Sequence, residues 1–281
     1  VTGGQGTVIG PRLEGGGVWL IENANLVLDT VNIEGNQAEY GAGVFAREGA
    51  TITVNDSAVR DNDARLGLGS GGGFYLEANA SLTMSNTTIR ENSATIGCAG
   101  IELTAGGVVD GGGTSDITNN LGDNSGGGLC ANFGAELVGL TINGNAAISG
   151  GALYGRDFVV RDTTIASNLG ILSTGGVLTL GTNVFERVTF DANVGLVDVG
   201  AMSLVGGSAD LIDCTLTGNT FSGNLGDVGG VEITGDGVLT STNTDWGVNP
   251  PADIWLSGIG LPFTFSGVQS FVCDGATGTC Q

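Results

Sequence analysis

The sequence predicts an all-β chain: a right-handed parallel β-helix, or β-solenoid, of about nine rungs, followed by a short non-repeating C-terminal segment. Three observations predict it. An apolar residue followed three places later by Asn returns nine times. A cluster of small residues, mostly Gly, opens each unit. Between them lie short stretches in which apolar and polar residues alternate. A period of about 20 to 50 residues marks a solenoid, propeller or array. Alternation at period two marks strands with one buried face.

The asparagine phrase reads Ile33-x-x-Asn36, Val59-x-x-Asn62, Ile89-x-x-Asn92, Ile117-x-x-Asn120 and Ile142-x-x-Asn145, then Ile165-x-x-Asn168, Phe190-x-x-Asn193, Leu216-x-x-Asn219 and Trp246-x-x-Asn249. Successive Asn residues lie 23 to 30 apart. The small clusters include Gly15-Gly16-Gly17-Val18, Gly41-Ala42-Gly43-Val44, Gly71-Gly72-Gly73-Phe74, Cys98-Ala99-Gly100-Ile101 and Gly126-Gly127-Gly128-Leu129. Their alignment is loose by one residue in the second half, from Gly175-Gly176-Val177 onward. Apolar-x-apolar pairs such as Leu26-x-Leu28, Ile52-x-Val54 and Leu82-x-Met84 lie between cluster and Asn. Each rung therefore needs three strands and three turns. Equivalent residues then stack about 4.8 Å apart, and nine rungs make a rod of roughly 43 Å. The recurring Asn is expected in a left-handed turn, which Asn tolerates. Its amide is expected to bond the Asn of the next rung.

Residues 1–14 read as an N-terminal arm or partial rung around Thr7-Val8-Ile9, and residues 15–249 as the β-helix. Pro250-Pro251 stops the pattern, and residues 250–281 read as a capping segment with a short loop between Cys273 and Cys280. The longest insertions, Asp63 to Ser70 and Thr220 to Asp227, both fall between the Asn and the next small cluster.

Charge narrows the partners. There are 29 acidic residues against eight Arg, with no Lys and no His, for a net charge of -21. Nucleic acid and anionic membrane surfaces both call for basic patches and are excluded as partners. The acidic surface suits divalent cations such as Ca2+; no other cofactor is expected. No run of about 18 apolar residues predicts a transmembrane segment. No signal peptide is seen at Val1, which fits a mature or trimmed chain.

Of the five Cys, Cys273 and Cys280 are expected to form a disulfide, which implies an oxidising compartment and hence an extracellular or cell-surface protein. Cys98 and Cys130 fall on neighbouring rungs about four strand positions apart. On an extended strand that is roughly 13 Å, too far to bridge. Cys214 shares a strand face with Leu216 and is expected to be buried and free; the odd count leaves intermolecular pairing open.

Chemistry is sparse. β-Helix lyases need a basic residue beside Asp ligands, and the hydrolases need paired acids. Pairs such as Asp61 with Asp63 and Asp210 with Asp213 sit at turns, where Asp is common for turn reasons. Arg60 and Arg90 fall at equivalent positions with Glu34 one rung before, which suits a salt-bridged outer face. Trp19, Phe45 and Tyr75 share one outward column, a candidate surface for protein or sugar contact or a face covered by the N-terminal arm. Phe263 and Phe265 add aromatic mass at the C-terminal end. An outward column of Thr88, Thr141, Thr164, Thr189 and Thr215 suits an exposed strand. Asn55, Asn79 and Asn86 begin glycosylation acceptor triplets.

Gly150-Gly151-Ala152-Leu153 and Phe190-Asp191-Ala192-Asn193 resemble the repeats of the chlamydial polymorphic outer-membrane proteins and of related secreted bacterial β-helix proteins. Asp245-Trp246-Gly247 with Asn249-Pro250 and Asp253-Ile254 looks like the closing segment of secreted members of that group. The resemblance implies the fold and a secreted or surface protein, in some members an adhesin. A leucine-rich repeat is the rival fold, since Leu137-x-x-Leu140-x-Ile142-x-x-Asn145 fits its phrase. Against it, the corresponding Leu positions elsewhere hold Ser57, Thr87, Ser115 and Thr163. The expected function is a non-enzymatic structural, adhesive or self-assembling module that stacks head-to-tail through open ends and meets other surface proteins or glycans. The alternative is a glycan-active enzyme of the lyase or hydrolase type.

Overall fold

The computed structural model describes residues 1–9, 12–223, 228–256, 261–263, 267–276 and 279–280, with backbone alone for 7–9, 261–263 and 268. Phe265 lies outside the described residues, and Phe263 is described only as the end of the strand Leu261–Phe263. Every regular element is a strand. The first are β1 (Thr7–Ile9), β2 (Arg12–Glu14), β3 (Val18–Leu20), β4 (Asn25–Asp29) and β5 (Asn32–Glu34).

Successive rungs pair in parallel, residue on equivalent residue. β3 is the first strand of a sheet that continues through Val44–Ala46, Phe74–Leu76 and Ile101–Leu103. In the second half Val177 pairs with Leu153 and with Met202, which fixes the alignment left loose by the small clusters. A second sheet carries both β4 and β5 and their successors. The structure corrects the expected three strands per rung by adding a fourth. Two-residue strands such as Asp63–Ala64 and Ser93–Ala94 follow the Asn and build a third sheet. The turn-rich segment between the Asn and the next small cluster, four to nine residues long, is too short and irregular to show period-two alternation.

The core is a set of stacked columns. Ile33, Val59, Ile89, Ile117, Ile142, Ile165, Phe190, Leu216 and Trp246 pair directly in series, and all are buried. Each stacks on a like neighbour, so the same inward position keeps its apolar character throughout.

The asparagines form a second, polar column at the edge of this core. Asn92 donates from its backbone N–H and from Nδ2 to Oδ1 of Asn120, both at 3.0 Å. Asn120 does the same to Asn145, and its Nδ2 also donates to the Ile89 carbonyl at 3.0 Å. The series runs from Asn36 through Asn62, Asn145, Asn168, Asn193 and Asn219 to Asn249. Both ends are closed: Gly4 N–H donates to Asn36 Oδ1 at 2.7 Å, and Asn249 Nδ2 donates to Asp253 Oδ1 at 3.1 Å. The Asn is not the left-handed residue, contrary to expectation. Positive φ falls one place earlier, at Gly35, Asp61, Glu91, Asn119, Gly144, Ser167, Ala192 and Gly218. The chain turns there, which leaves the Asn side chain pointing inward.

A hydroxyl column runs parallel at the next corner. Val31 N–H donates to Ser57 Oγ, Thr87 N–H to Ser115 Oγ and Leu140 N–H to Thr163 Oγ1. Ser57, Thr87, Ser115, Thr163 and Thr244 are buried. These are the positions a leucine-rich repeat would fill with Leu, and no helix is present among the described residues, so that rival is excluded. Cys214 occupies the same column, buried and free, with its thiol on the Phe185 carbonyl. Burial pushes that thiol up to about 11.

The two ends differ. At the C-terminal end the tail folds back antiparallel: Gly267–Asp274 pairs with Val238–Trp246, and Leu261–Phe263 with Ile254–Leu256. Leu239, Trp246, Ile254 and Leu256 are buried. The last rung is therefore covered by its own tail. Cys273 and Cys280 are bridged across the final hairpin. At the N-terminal end Thr2 and Gln5 bridge Glu34 and Gln37, so residues 1–6 cover β5. β1 and β2 form an antiparallel hairpin, and Glu14 bridges Tyr40.

Candidate contact surfaces

The aromatic column is in register as read: Trp19 pairs with Phe45, and Phe45 with Tyr75. It is not an open platform. Phe45 is 1% exposed, because Tyr75 stacks on it at 5.3 Å with the planes 5° apart and the Arg47 guanidinium lies 5.2 Å over its ring. Tyr40 meets Tyr75 edge-on at 5.2 Å, and Arg12 covers Tyr40 at 4.9 Å. Burial raises the Tyr75 phenol above its ordinary range. β2 supplies Glu14, buried, which accepts Arg47 Nη2 at 2.8 Å and Trp19 Nε1 at 3.3 Å. Arg47 also reaches Glu77 at 3.0 Å. The hairpin thus roofs the column. Outward direction on a strand does not imply exposure where another segment crosses. What stays open is Trp19, 37% exposed, beside a depression lined with Ile21, Glu22 and Arg47.

The structure joins Cys98 to Cys130, with Cα atoms 5.4 Å apart, and so corrects the reading that they lie too far apart. The small cluster is a tight bend, not extended strand. In the preceding rungs Gly41 and Gly71 hold positive φ, and a Cβ on Gly41 would lie 2.8 Å from Cβ of Phe45, four places on. Cys98 stands at that bend, so it lies close to Glu102, and Glu102 pairs directly with Cys130. Gly126 makes room for the bridge, since a Cβ there would sit 2.0 Å from Cys98 Sγ. Cys98, Glu102 and Cys130 bring three potential ligand atoms within 4.8 Å of one another, but the bridge occupies both sulfurs.

Glu102 accepts the Cys98 N–H at 3.0 Å and the Ser70 hydroxyl at 2.9 Å. Burial raises its carboxyl above the usual range, only partly offset by these two bonds. A raised folded-state pKa means that the folded state holds the proton where the unfolded state has lost it. That stability is fully present below the unfolded pKa and is lost as pH rises through the folded one. Glu102→Gln keeps an acceptor and removes the titration. The stability of wild type relative to Glu102→Gln should therefore fall as pH rises above the ordinary glutamate value of about 4, measured by urea unfolding. A gap that is constant or widens in favour of wild type contradicts this.

The other charged groups are tied to each other. Seven of the eight Arg (47, 60, 65, 90, 156, 161 and 187) are ion-paired, and Arg12 is the one stacked on Tyr40. Arg60 pairs with Glu34 on the rung before, the outer-face arrangement that the spacing suggested. Asp63 accepts Arg65 and Ser93; burial raises its carboxyl, but these bonds outweigh burial and hold it below the usual range. Asp210 points outward between Val184 and Thr240. The spacing did not mark a different acid pair. Asp198 accepts the Ser173 hydroxyl at 3.3 Å and shares a hydrogen bond with Glu232, which accepts Ser203 at 3.3 Å. Burial raises Asp198. The two acids are 34 residues apart in sequence and on different rungs, so no local motif contains them.

The segments after the asparagines form an edge of different character. Ala146–Ser149, residues 169–174 and residues 194–199 carry one charged residue between them, Asp198. Ile171, Leu172, Leu196 and Val197 are exposed there, Leu172 by 59%. Ile171 and Leu196 donate backbone N–H groups to Ala147 and Gly170, so the segments stack in order. The Thr column is also in register, with Asp116 between Thr88 and Thr141.

No helix among the described residues is long and apolar enough to cross a membrane. A family model for the right handed beta helix region matches residues 7–129, and the parallel rungs beyond them continue the same architecture to the C-terminal cap. No curated protein and no solved structure matches the chain significantly. The fold is that of a right-handed parallel β-helix, and the family likeness over residues 7–129 agrees with it.

Proposed function

We propose that the protein is an extracellular, non-enzymatic β-helix, a structural and adhesive module that meets surface proteins or glycans through one exposed edge. The observation that carries this reading is the exposed aliphatic edge of Ile171, Leu172, Leu196 and Val197, nearly free of charge on a chain of net charge -21. Contiguous apolar surface on a soluble rod marks a contact site. The ion pairing of the arginines supports it, because a committed cation cannot also stabilise charge developing on a substrate. Two disulfides support an oxidising compartment.

A second reading, a glycan-active enzyme, is favoured by the hydrogen-bonded pair of Asp198 and Glu232, since hydrolysis of a glycosidic bond uses two neighbouring acids. Assay of the purified protein on a polysaccharide panel, with and without Ca2+, separates the two. The proposal expects no turnover under either condition. Turnover that Asp198→Asn abolishes would overturn it.

A further inference from the structure

We propose that Cys98, Cys130 and Glu102 hold one soft divalent cation, of the zinc and cadmium class, when the disulfide between the two cysteines is reduced. Bridge and ion are alternatives at one site. The three side chains converge from two neighbouring rungs. Glu102 pairs directly with Cys130, and Cys98 stands at the bend four places before Glu102. Their ligand atoms lie within 4.8 Å of one another. The backbone keeps the space clear. A Cβ on Gly126 would lie 2.0 Å from Cys98 Sγ and 3.3 Å from Cys130 Sγ. A Cβ on Gly97 would lie 1.8 Å from Ser70 Oγ and 2.6 Å from Glu102 Oε2. Two glycines thus frame a space filled by sulfur and oxygen atoms. The Cys98 N–H and the Ser70 hydroxyl both donate to Oε2 of Glu102. These bonds hold the carboxylate in place and leave its second oxygen for the ion.

Thiolates and a carboxylate are donors that zinc takes, with Zn–S near 2.3 Å and Zn–O about 2.0 to 2.2 Å. Thiolate donors select such ions over calcium and magnesium. The ion needs the sulfurs about 3.8 Å apart, the separation that two Zn–S bonds set at a tetrahedral angle. Rotation about the two Cα–Cβ bonds supplies this from Cα atoms 5.4 Å apart. Three protein ligands leave the fourth position of the tetrahedron to water. The reduction is a thiol–disulfide exchange with a small dithiol. The dithiol's two sulfurs end as a disulfide, and Cys98 and Cys130 take up its two protons. The cation then displaces both protons to solvent as the thiolates bind it. Gly97 and Glu102 keep partial exposure, so the site lies just under the surface. A net charge of -21 concentrates cations around the chain. The site is separate from the aliphatic edge, so its test and the polysaccharide assay fail independently.

Cd2+ is the probe, followed by its thiolate charge-transfer absorption and by equilibrium dialysis. The full chain carries Cys273→Ser and Cys280→Ser, so that the tail contributes no thiols. Reduced with a dithiol and freed of it without oxygen, it should bind one Cd2+ per chain with native circular dichroism. The oxidised chain should show no thiolate absorption. Further substitution of Cys98→Ser and Cys130→Ser should abolish that absorption, since Cys214 is buried away from the site. Glu102→Gln should weaken binding by about tenfold or more, the loss found even for residues that only support a ligand. Oxidation of the loaded chain with a small disulfide should release the ion. If the tail substitutions themselves cost the native fold, the count is read on the wild-type tail, as the one ion lost on Cys98→Ser with Cys130→Ser. Absent thiolate absorption in the reduced, folded chain overturns the proposal. So does a reduced chain that unfolds and is not restored by Cd2+, or an affinity that Glu102→Gln leaves unchanged. Equal binding before and after reduction also overturns it, because that reports adventitious carboxylates on the acidic surface.

Discussion

Asn120→Ala should destabilise the protein by about 4 kcal/mol in urea unfolding. Asn120 is buried at the middle of the polar column. Its removal takes the acceptor from two buried donors of Asn92, the backbone N–H and Nδ2, and the Nδ2 donor from the Ile89 carbonyl and from Asn145 Oδ1. A buried polar group left unpaired costs about 1 to 3 kcal/mol, and the four losses are not additive because water can enter part of the space. Asn143→Ala, in the adjacent corner but exposed, should change stability by less than about 0.5 kcal/mol. A loss below about 1 kcal/mol for Asn120→Ala would mean that the column is decoration on a fold held by packing alone.

Ile117→Asn should cost at least as much, about 4 kcal/mol or more. Ile117 is fully buried between Ile89 and Ile142. Its Cγ2 lies 2.9 Å from where a Cβ on Gly100 would stand, so the site has no slack for rearrangement. The substitution removes apolar packing and buries an amide that has no partner aligned to receive it. Thr141→Asn replaces a half-buried outward side chain of the next rung and should cost under about 1 kcal/mol. Similar losses at the two positions would show that the inward and outward faces have been interchanged.

The contrast between these pairs explains why so much of the fold was legible. Inward and outward positions alternate with period two, and the rung period repeats nine times, so the pairing of Ile89 with Ile117 or of Trp19 with Phe45 is fixed by counting. What counting does not capture is where the chain bends and what crosses over it. The bend at the small clusters brings residues four apart together, and for that reason Cys98 reaches Cys130 although a straight strand would hold them apart. The same limit hid the burial of Phe45, which depends on Tyr75 stacking on its ring and on Arg47, held by Glu14 of β2, lying over it. The break in the repeat at Pro250-Pro251 marked the C-terminal segment, but not the reversal of its strands. The Asp198 and Glu232 pair escaped notice because contacts between a loop and a strand on another rung carry no sequence spacing of their own.

Sites were legible only in part for a related reason. The asparagines announce themselves because each has the same structural duty. Trp19 and the aliphatic edge have no repeated duty, and their significance lies in being left uncovered. Exposure is a property of the assembled rod and of which segments cross it.

The central claim is that the asparagine column is the continuous spine of the rod, and native-state hydrogen exchange by nuclear magnetic resonance tests it most directly. The backbone N–H groups of Asn62, Asn92, Asn120, Asn145, Asn168 and Asn193 each donate to the next side chain of the column. They should exchange only through global unfolding, together and among the slowest in the protein. Exchange of these six amides on the timescale of exposed turn amides, while the amides of Ile89, Ile117 and Ile142 stay protected, would contradict the claim.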